Sequence, residues 1–184
     1  MTKFDRPVVA AVKDLAAAGR AAASPVRTVF ILDGNILTLP DMVGVLQRGG
    51  KEVFIHMDLV GGIGRDEAGV RYVARILKPR GILTTRSSLV KCALDAGLVA
   101  VQRIFLVDSA SLKSGIKQVS AAKPHLVEVM PGLVPRAISA LSRELAQPII
   151  AGGMIETLED AAAALRAGAR AISTTSETLW CSKI

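Results

Sequence analysis

Apolar and polar positions along the chain fall into a repeating pattern. Short apolar, β-branched runs occur at Thr28–Asp33, Glu52–Asp58, Gly81–Thr84, Val101–Asp108, His125–Met130, Pro148–Ala151 and Arg170–Ser173. Each is continuous rather than alternating, which is the pattern of a strand buried on both faces of a parallel sheet. Between the runs, apolar residues recur at helical spacing around 40–48, 66–77, 87–96, 109–122, 135–146, 157–167 and 177–182. Strands alternating with helices of this length are βαβ units. Ahead of the first run, residues 5–19 (DRPVVAAVKDLAAAG) read as an N-terminal helix, with Asp5 as its cap and Gly19 at its end.

Seven such units either close into a barrel or lie open as a doubly wound sheet. An open sheet gathers its ligand residues at one switch point. A barrel gathers polar residues at the C-terminal end of every strand. Here the runs end in Asp33, Asp58, Thr84 with Thr85, Asp108, Glu128, Gly152 with Gly153, and Ser173 with Thr174. That distribution predicts a TIM-like parallel (βα) barrel of seven strands, or eight if a short one is hidden. No linker or low-complexity tract interrupts it, so residues 1–184 read as one domain.

Two neighbouring strand ends carry the sharpest chemistry. Pro148–Ala151 runs into Gly152-Gly153 and then a helix start, and Ala171-Ile172 runs into Ser173-Thr174-Thr175-Ser176. Glycine lets the backbone approach an anion closely. Hydroxyls and free amides at a helix start offer it donors. In barrels, the loops after the last two strands often form a phosphate site. Gly152, Gly153, Ser173 and Thr174 are therefore the candidate phosphate contacts; the plain alternative is a tight turn and a helix cap. Asp33, Asp58 and Glu128 suit the hydroxyl-bearing end of a ligand, since carboxylates accept from hydroxyls. The same carboxylates could instead hold Mg²⁺ or cap helices, and Asp108, ahead of Ser109-Ala110-Ser111, reads as a cap. His56 shares a strand face with Asp58 and is expected to pack beneath the mouth. Arg103, near the start of its run, is expected toward the opposite end, paired with a carboxylate. Gly61-Gly62-Ile63-Gly64 reads as a rim loop, either a lid or a connector.

Charge and composition narrow the class. The formal charge of +7 suggests an anionic partner. Six aromatic residues (Phe4, Phe30, Phe54, Tyr72, Phe105 and Trp180) leave little for base stacking. Nucleic-acid contact would then rest on basic helix faces such as Lys78, Arg80, Arg86, Lys91, Lys113, Lys117, Lys123, Arg136 and Arg143. Cys92 and Cys181 lack ligand spacing and read as free thiols of a reducing cytosol. The N-terminal segment has no signal-peptide core, so a cytoplasmic location is expected. No lysine stands at an evident strand end, and no Ser-His-Asp order or metal cluster is visible, which argues against catalysis.

Five blocks, in order, resemble a known family: HMDLVGGIGRDEAGVRYV (56–73), GILTTRSSLVKCALDAGLVAVQRIFLVDS (81–109), HLVEVMPG (125–132), IAGGMIET (150–157) and AISTTSETLW (171–180). They are similar to the glycerol-3-phosphate-responsive antiterminators of the glycerol uptake operon. The resemblance runs from about Thr28 onward. It implies a regulatory, non-catalytic barrel that senses glycerol 3-phosphate and acts on leader mRNA. It places the ligand's phosphate at Gly152, Gly153, Ser173 and Thr174, and its hydroxyl end at Asp58 and Glu128. Thr84-Thr85-Arg86 stands where the family pattern has Ser-Thr-Lys, and Asp33-Gly34-Asn35 is also a variant. A phosphosugar isomerase or aldolase-like barrel, and a metabolite-binding module with no RNA partner, remain as alternatives. The Ala-rich helix surface suggests a homodimer.

Overall fold

Eight parallel strands pair in sequence order into a closed barrel, β1-β2-β3-β4-β5-β6-β7-β8. The computed structural model describes residues 6–184. The strands are β1 (Val8–Val12), β2 (Thr28–Ile31), β3 (Glu52–His56), β4 (Gly81–Thr84), β5 (Val99–Phe105), β6 (Leu126–Met130), β7 (Ile149–Gly152) and β8 (Ala171–Thr174). The helices after them are α1 (Leu15–Ala23), α2 (Leu39–Arg48), α3 (Glu67–Tyr72, continued by a π-helical turn, Val73–Leu77), α4 (Ser87–Asp95), α5 (Ser109–Ala122), α6 (Pro135–Glu144), α7 (Leu158–Arg166) and α8 (Glu177–Cys181).

The expected N-terminal helix over 5–19 is corrected by this structure. Asp5 lies outside the described residues, residues 8–12 form β1, and α1 begins only at Leu15, capped by the Asp14 carboxylate. Val-Val-Ala-Ala-Val is uniformly apolar because β1 is buried on both faces. A buried strand and a buried helix segment cannot be told apart by periodicity, and alanine favours the helix locally. Pairing overrides that preference: Ala10 lies against Val29 of β2 and Thr174 of β8. This is the eighth strand.

Side chains alternate between two cores. Inward, Val9, Phe30, Phe54, Leu83, Val101, Leu126 and Ile150 fill the lower barrel. Outward, Ala10, Ile31, Ile55, Ile82, Val129, Ala151 and Ile172 pack with the helices. Phe30 and Phe54 meet edge to face at 5.5 Å, a favoured aromatic geometry. Gly81 makes room for this pair, since a Cβ there would stand 2.1 Å from the Val99 carbonyl oxygen and 2.6 Å from the Phe54 ring. Polar caps close the outer layer, and Asp108 caps α5 as expected, accepting from the Ser111 amide at 2.7 Å.

The Gly81 contact predicts the effect of one methyl group. Gly81→Ala has no flexible neighbour to displace, so it lowers unfolding free energy by about 3 kcal/mol. Urea denaturation checks this; a midpoint equal to that of wild type would show that β4 and β5 can part without cost.

Candidate functional site

The filled apolar layers end below the C-terminal mouth, and there the inward positions turn polar. His56, Arg103, Glu128 and Ser173 are all buried, from β3, β5, β6 and β8. Glu128 joins three of these strands. Its Oε2 accepts from Arg103 Nε at 2.6 Å, and its Oε1 accepts from Ser173 Oγ at 2.6 Å. Gly152, between them on β7, has to be glycine: a Cβ would lie 2.4 Å from Ser173 Oγ and 2.7 Å from Glu128 Oε1.

Above this network is a cavity of about 200 Å³. Its lining includes Lys13, Arg103, Glu128, Met130, Gly153, Ser173, Thr174 and Thr175. Gly153 and Met154 turn the chain out of β7 with φ of 76° and 62°, a left-handed conformation that glycine adopts freely. Thr174 ties the two loops together. Its hydroxyl donates to the Ile155 carbonyl at 2.6 Å and accepts from the Ser176 amide at 3.0 Å, while Trp180 Nε1 donates to the Thr174 carbonyl at 2.9 Å. Larger grooves lie between α3 and α4 (about 640 Å³) and between α5 and α6 (about 610 Å³). Both are on the helical shell, away from the buried polar network.

The predicted site residues divide into two groups. Gly153, Ser173, Thr174 and Glu128 meet at this cavity, with Gly152 beneath it. Asp58 and Asp33 do not line it. The Asp58 carboxylate accepts from the Thr85 amide at 2.7 Å, Thr84 Oγ1 at 3.0 Å, Thr85 Oγ1 at 3.2 Å and Arg86 Nε at 3.1 Å. It therefore fastens the start of α4 to the end of β3. Burial pushes its carboxyl up, but the hydrogen bonds from Thr85 and Thr84 outweigh this and hold it below the usual range. Asp33 is exposed beside Lys13 and Asn35 in a separate groove, its carboxylate accepting from the Gly34 amide at 2.6 Å. The four strand-end carboxylates thus do not line one cavity. Among the described residues, no group of three or more His, Cys, Asp or Glu side chains is placed to hold a metal ion.

Two residues correct the sequence reading. Arg103 is not at the far end of the barrel. β5 starts at Val99 rather than Val101, so Arg103 is its fifth residue and reaches the mouth. The expected pairing with a carboxylate does occur. Lys13 follows β1 and lines the cavity, so a lysine does stand at a strand end. The misread β1 concealed it. His56 packs beneath the mouth as expected, and its Nδ1 accepts from the Asp58 amide at 3.3 Å. Burial, and then repulsion by Arg103, lowers its pKa from 6.5 to about 4, so the imidazole is neutral near pH 7.

The fold and this cavity define a (βα)8 barrel with a polar, charged pocket at the C-terminal face of β7 and β8. Residues 8–180 match the glycerol-3-phosphate responsive antiterminator family, and the chain belongs to it. The uncharacterized protein YgcP of Escherichia coli (strain K12) is 36% identical over 174 residues, covering 95% of this chain and 91% of that protein. The crystal structure of a glycerol uptake operon antiterminator regulatory protein from Listeria monocytogenes superposes with a TM-score of 0.93 at 27% identity, covering 98% of this chain and 97% of the other. An antiterminator-related protein from Thermotoga maritima gives 0.85 at 33% identity, covering 95% and 98%.

The buried imidazole predicts a pH dependence. Unfolded, His56 titrates near 6.5 and folded near 4, so the unfolded chain binds more protons between these values. This contribution to stability is complete above about pH 6.5 and is lost as pH falls toward 4. Wild type should lose on the order of 2–3 kcal/mol between pH 7.5 and 4.5 through this group. His56→Gln should lack that part of the loss in urea unfolding curves, and parallel pH profiles for the two proteins would contradict it.

Proposed function

We propose that this chain is a glycerol-3-phosphate sensor that promotes transcription read-through by acting on leader mRNA of a glycerol utilisation operon. One observation carries the reading: in a member of this family, the loops after β7 and β8 converge with Arg103 and Lys13 on a single small cavity. The phosphate is assigned to Gly152, Gly153, Ser173 and Thr174, with Lys13 supplying charge. The hydroxyl end is assigned to Glu128, the buried carboxylate of the cavity. Asp58 and Asp33 are assigned to holding their own loops. A cavity of about 200 Å³ suits a three-carbon phosphate better than a hexose phosphate.

The reading is non-catalytic. Both Glu128 oxygens already hold donors from Arg103 and Ser173, and His56 Nδ1 is taken by the Asp58 amide. Neither Glu128 nor His56 is thereby left as an unencumbered general base, and the cavity lining also carries Lys13 and Glu156. A cytoplasmic location follows from an mRNA target; among the described residues, no helix is long and apolar enough to cross a membrane. The RNA contact is assigned to basic helix surface, given a charge of +7 and few aromatics. Self-association as a homodimer completes the proposal. The Ala-rich helix surface is the feature that supports it.

Thermal denaturation tests the ligand. Glycerol 3-phosphate at 100 times its Kd adds about 2.7 kcal/mol, a rise of roughly 5–10 °C for a chain of this size, and glycerol adds none. Gly153→Val should abolish the rise in a protein that still folds, because a branched side chain disfavours φ of 76°. Equal stabilisation by glycerol, or a Gly153→Val protein that responds like wild type, would remove the phosphate site from these loops.

RNA is tested by titrating leader transcript at several salt concentrations, with and without ligand. Affinity should fall steeply with salt and rise with glycerol 3-phosphate, and RNA should tighten ligand binding by the same factor. RNA affinity indifferent to the ligand would reject the sensor, and absence of RNA binding at low salt would leave a metabolite-binding barrel.

A further inference from the structure

Arg103 enters the cavity from β5, two strands from β7, and is separated from Ser173 by the Glu128 carboxylate. It is 7% exposed, and its partner Glu128 is 1% exposed. Only Nε is spent on Glu128, at 2.6 Å. Among the described residues, no other protein group accepts from the guanidinium, and none of its nitrogens is buried without a partner. Its terminal amino groups therefore open onto the cavity, which Arg103 lines.

Such a pair is an expensive way to fill a barrel. Well-packed apolar side chains of similar size often serve stability as well or better, and the layer below is built from them. The pair's chemistry points to recognition. A guanidinium only donates and a carboxylate only accepts. Each oxygen of Glu128 already holds one donor and retains a lone pair for another. A donor-only group beside an acceptor-only group fits two adjacent hydroxyls, each of which both donates and accepts. Ser173 and Arg103 pin Glu128 from opposite sides, so the pair presents a fixed, asymmetric edge.

We infer that Arg103, held in place by Glu128, is the specificity-determining residue for the non-phosphate end of the ligand, and that it makes the site discriminate between the two enantiomers of glycerol phosphate. The inference rests on the phosphate assignment above. With the phosphate fixed at the β7 and β8 loops, Arg103 and Glu128 supply two further, non-equivalent attachments. Three such points are met by one mirror image of a glycerol phosphate and not by the other. A site built to hydrogen-bond a hydroxyl also rejects the analogue lacking it, because its buried polar groups are left unpaired.

Calorimetric titration of the full chain with sn-glycerol 3-phosphate, sn-glycerol 1-phosphate and propyl phosphate tests this. Wild type should bind one enantiomer on the order of 10-fold or more tighter than the other and than propyl phosphate. Arg103→Lys keeps a positive charge against Glu128 but loses the planar fork. It should bring the two enantiomers within about 3-fold of each other and leave propyl phosphate unchanged, since a merely structural role would shift all three together. If Arg103→Lys fails to fold, the double variant Arg103→Gln with Glu128→Gln, which buries no charge, should give the same collapse of discrimination. Equal binding of the enantiomers by wild type would overturn the inference. So would a variant that loses propyl phosphate as strongly as glycerol phosphate, which would put the guanidinium on the phosphate group. Wild type that binds none of the three would instead refute the phosphate site itself.

Discussion

β1 pairs with β2 along one edge and with β8 along the other, through Val8–Ile172, Val9–Ser173 and Ala10–Thr174. This double pairing removes both free edges of the sheet. It also sets the geometry of everything above it. A closed parallel barrel directs all its strands' C-terminal ends to one face, and the pairing of β8 between β7 and β1 sets Gly153, Ser173, Thr174 and Lys13 around one cavity. An open sheet of the same elements would part β8 from β1, and with them the two loops that flank that cavity.

Closure creates a second constraint inside the barrel. The lower layers take apolar side chains, packed around the Phe30–Phe54 contact. At the mouth the interior holds Arg103 and Glu128, two charges with little water around them. Desolvating both is costly, and removing one partner would leave the other uncompensated. The surroundings are built to keep the pair intact. Ser173 supplies a second donor to Glu128, and Gly152 is reduced to a hydrogen atom so that Ser173 can reach it. His56 stays neutral chiefly because it is buried, and secondly because a charge there would face Arg103 in the same interior. The choices at Gly152 and Ser173 thus follow from one buried ion pair.

The loops around the mouth are fastened by different means. Asp58 uses its whole carboxylate to hold the β4–α4 turn, through Thr84, Thr85 and Arg86. Thr174 bridges the β7 and β8 loops by way of the Ile155 carbonyl and the Ser176 amide. The Thr174 bonds frame the cavity on its β7–β8 side, and the side chains of Lys13, Arg103 and Glu128 line the rest. Binding to such a frame loses less freedom than ordering a loose one. The exposed side chain of Val107 sits outside it.

The βα alternation, the parallel class and the polar strand ends were all legible in the residue order, because each depends on short-range patterning that survives without tertiary information. The residue order also marked Gly152, Gly153, Ser173, Thr174 and Glu128, whose residue types carry their chemistry locally. It misplaced what depends on partners distant in the chain. Val8–Val12 is helical by composition and a strand only because β2 and β8 flank it. Arg103 moved from one end of the barrel to the other because the start of β5 is fixed by pairing: Val99 lies opposite Gly81 of β4. Asp58 and Glu128 look alike at strand ends. Tertiary packing alone separated them, sending one carboxylate to a neighbouring turn and the other to a buried arginine. The physical reason is that a strand's hydrogen-bond partners and a carboxylate's counter-charge both come from residues far away in sequence, and no local pattern encodes which of them will arrive.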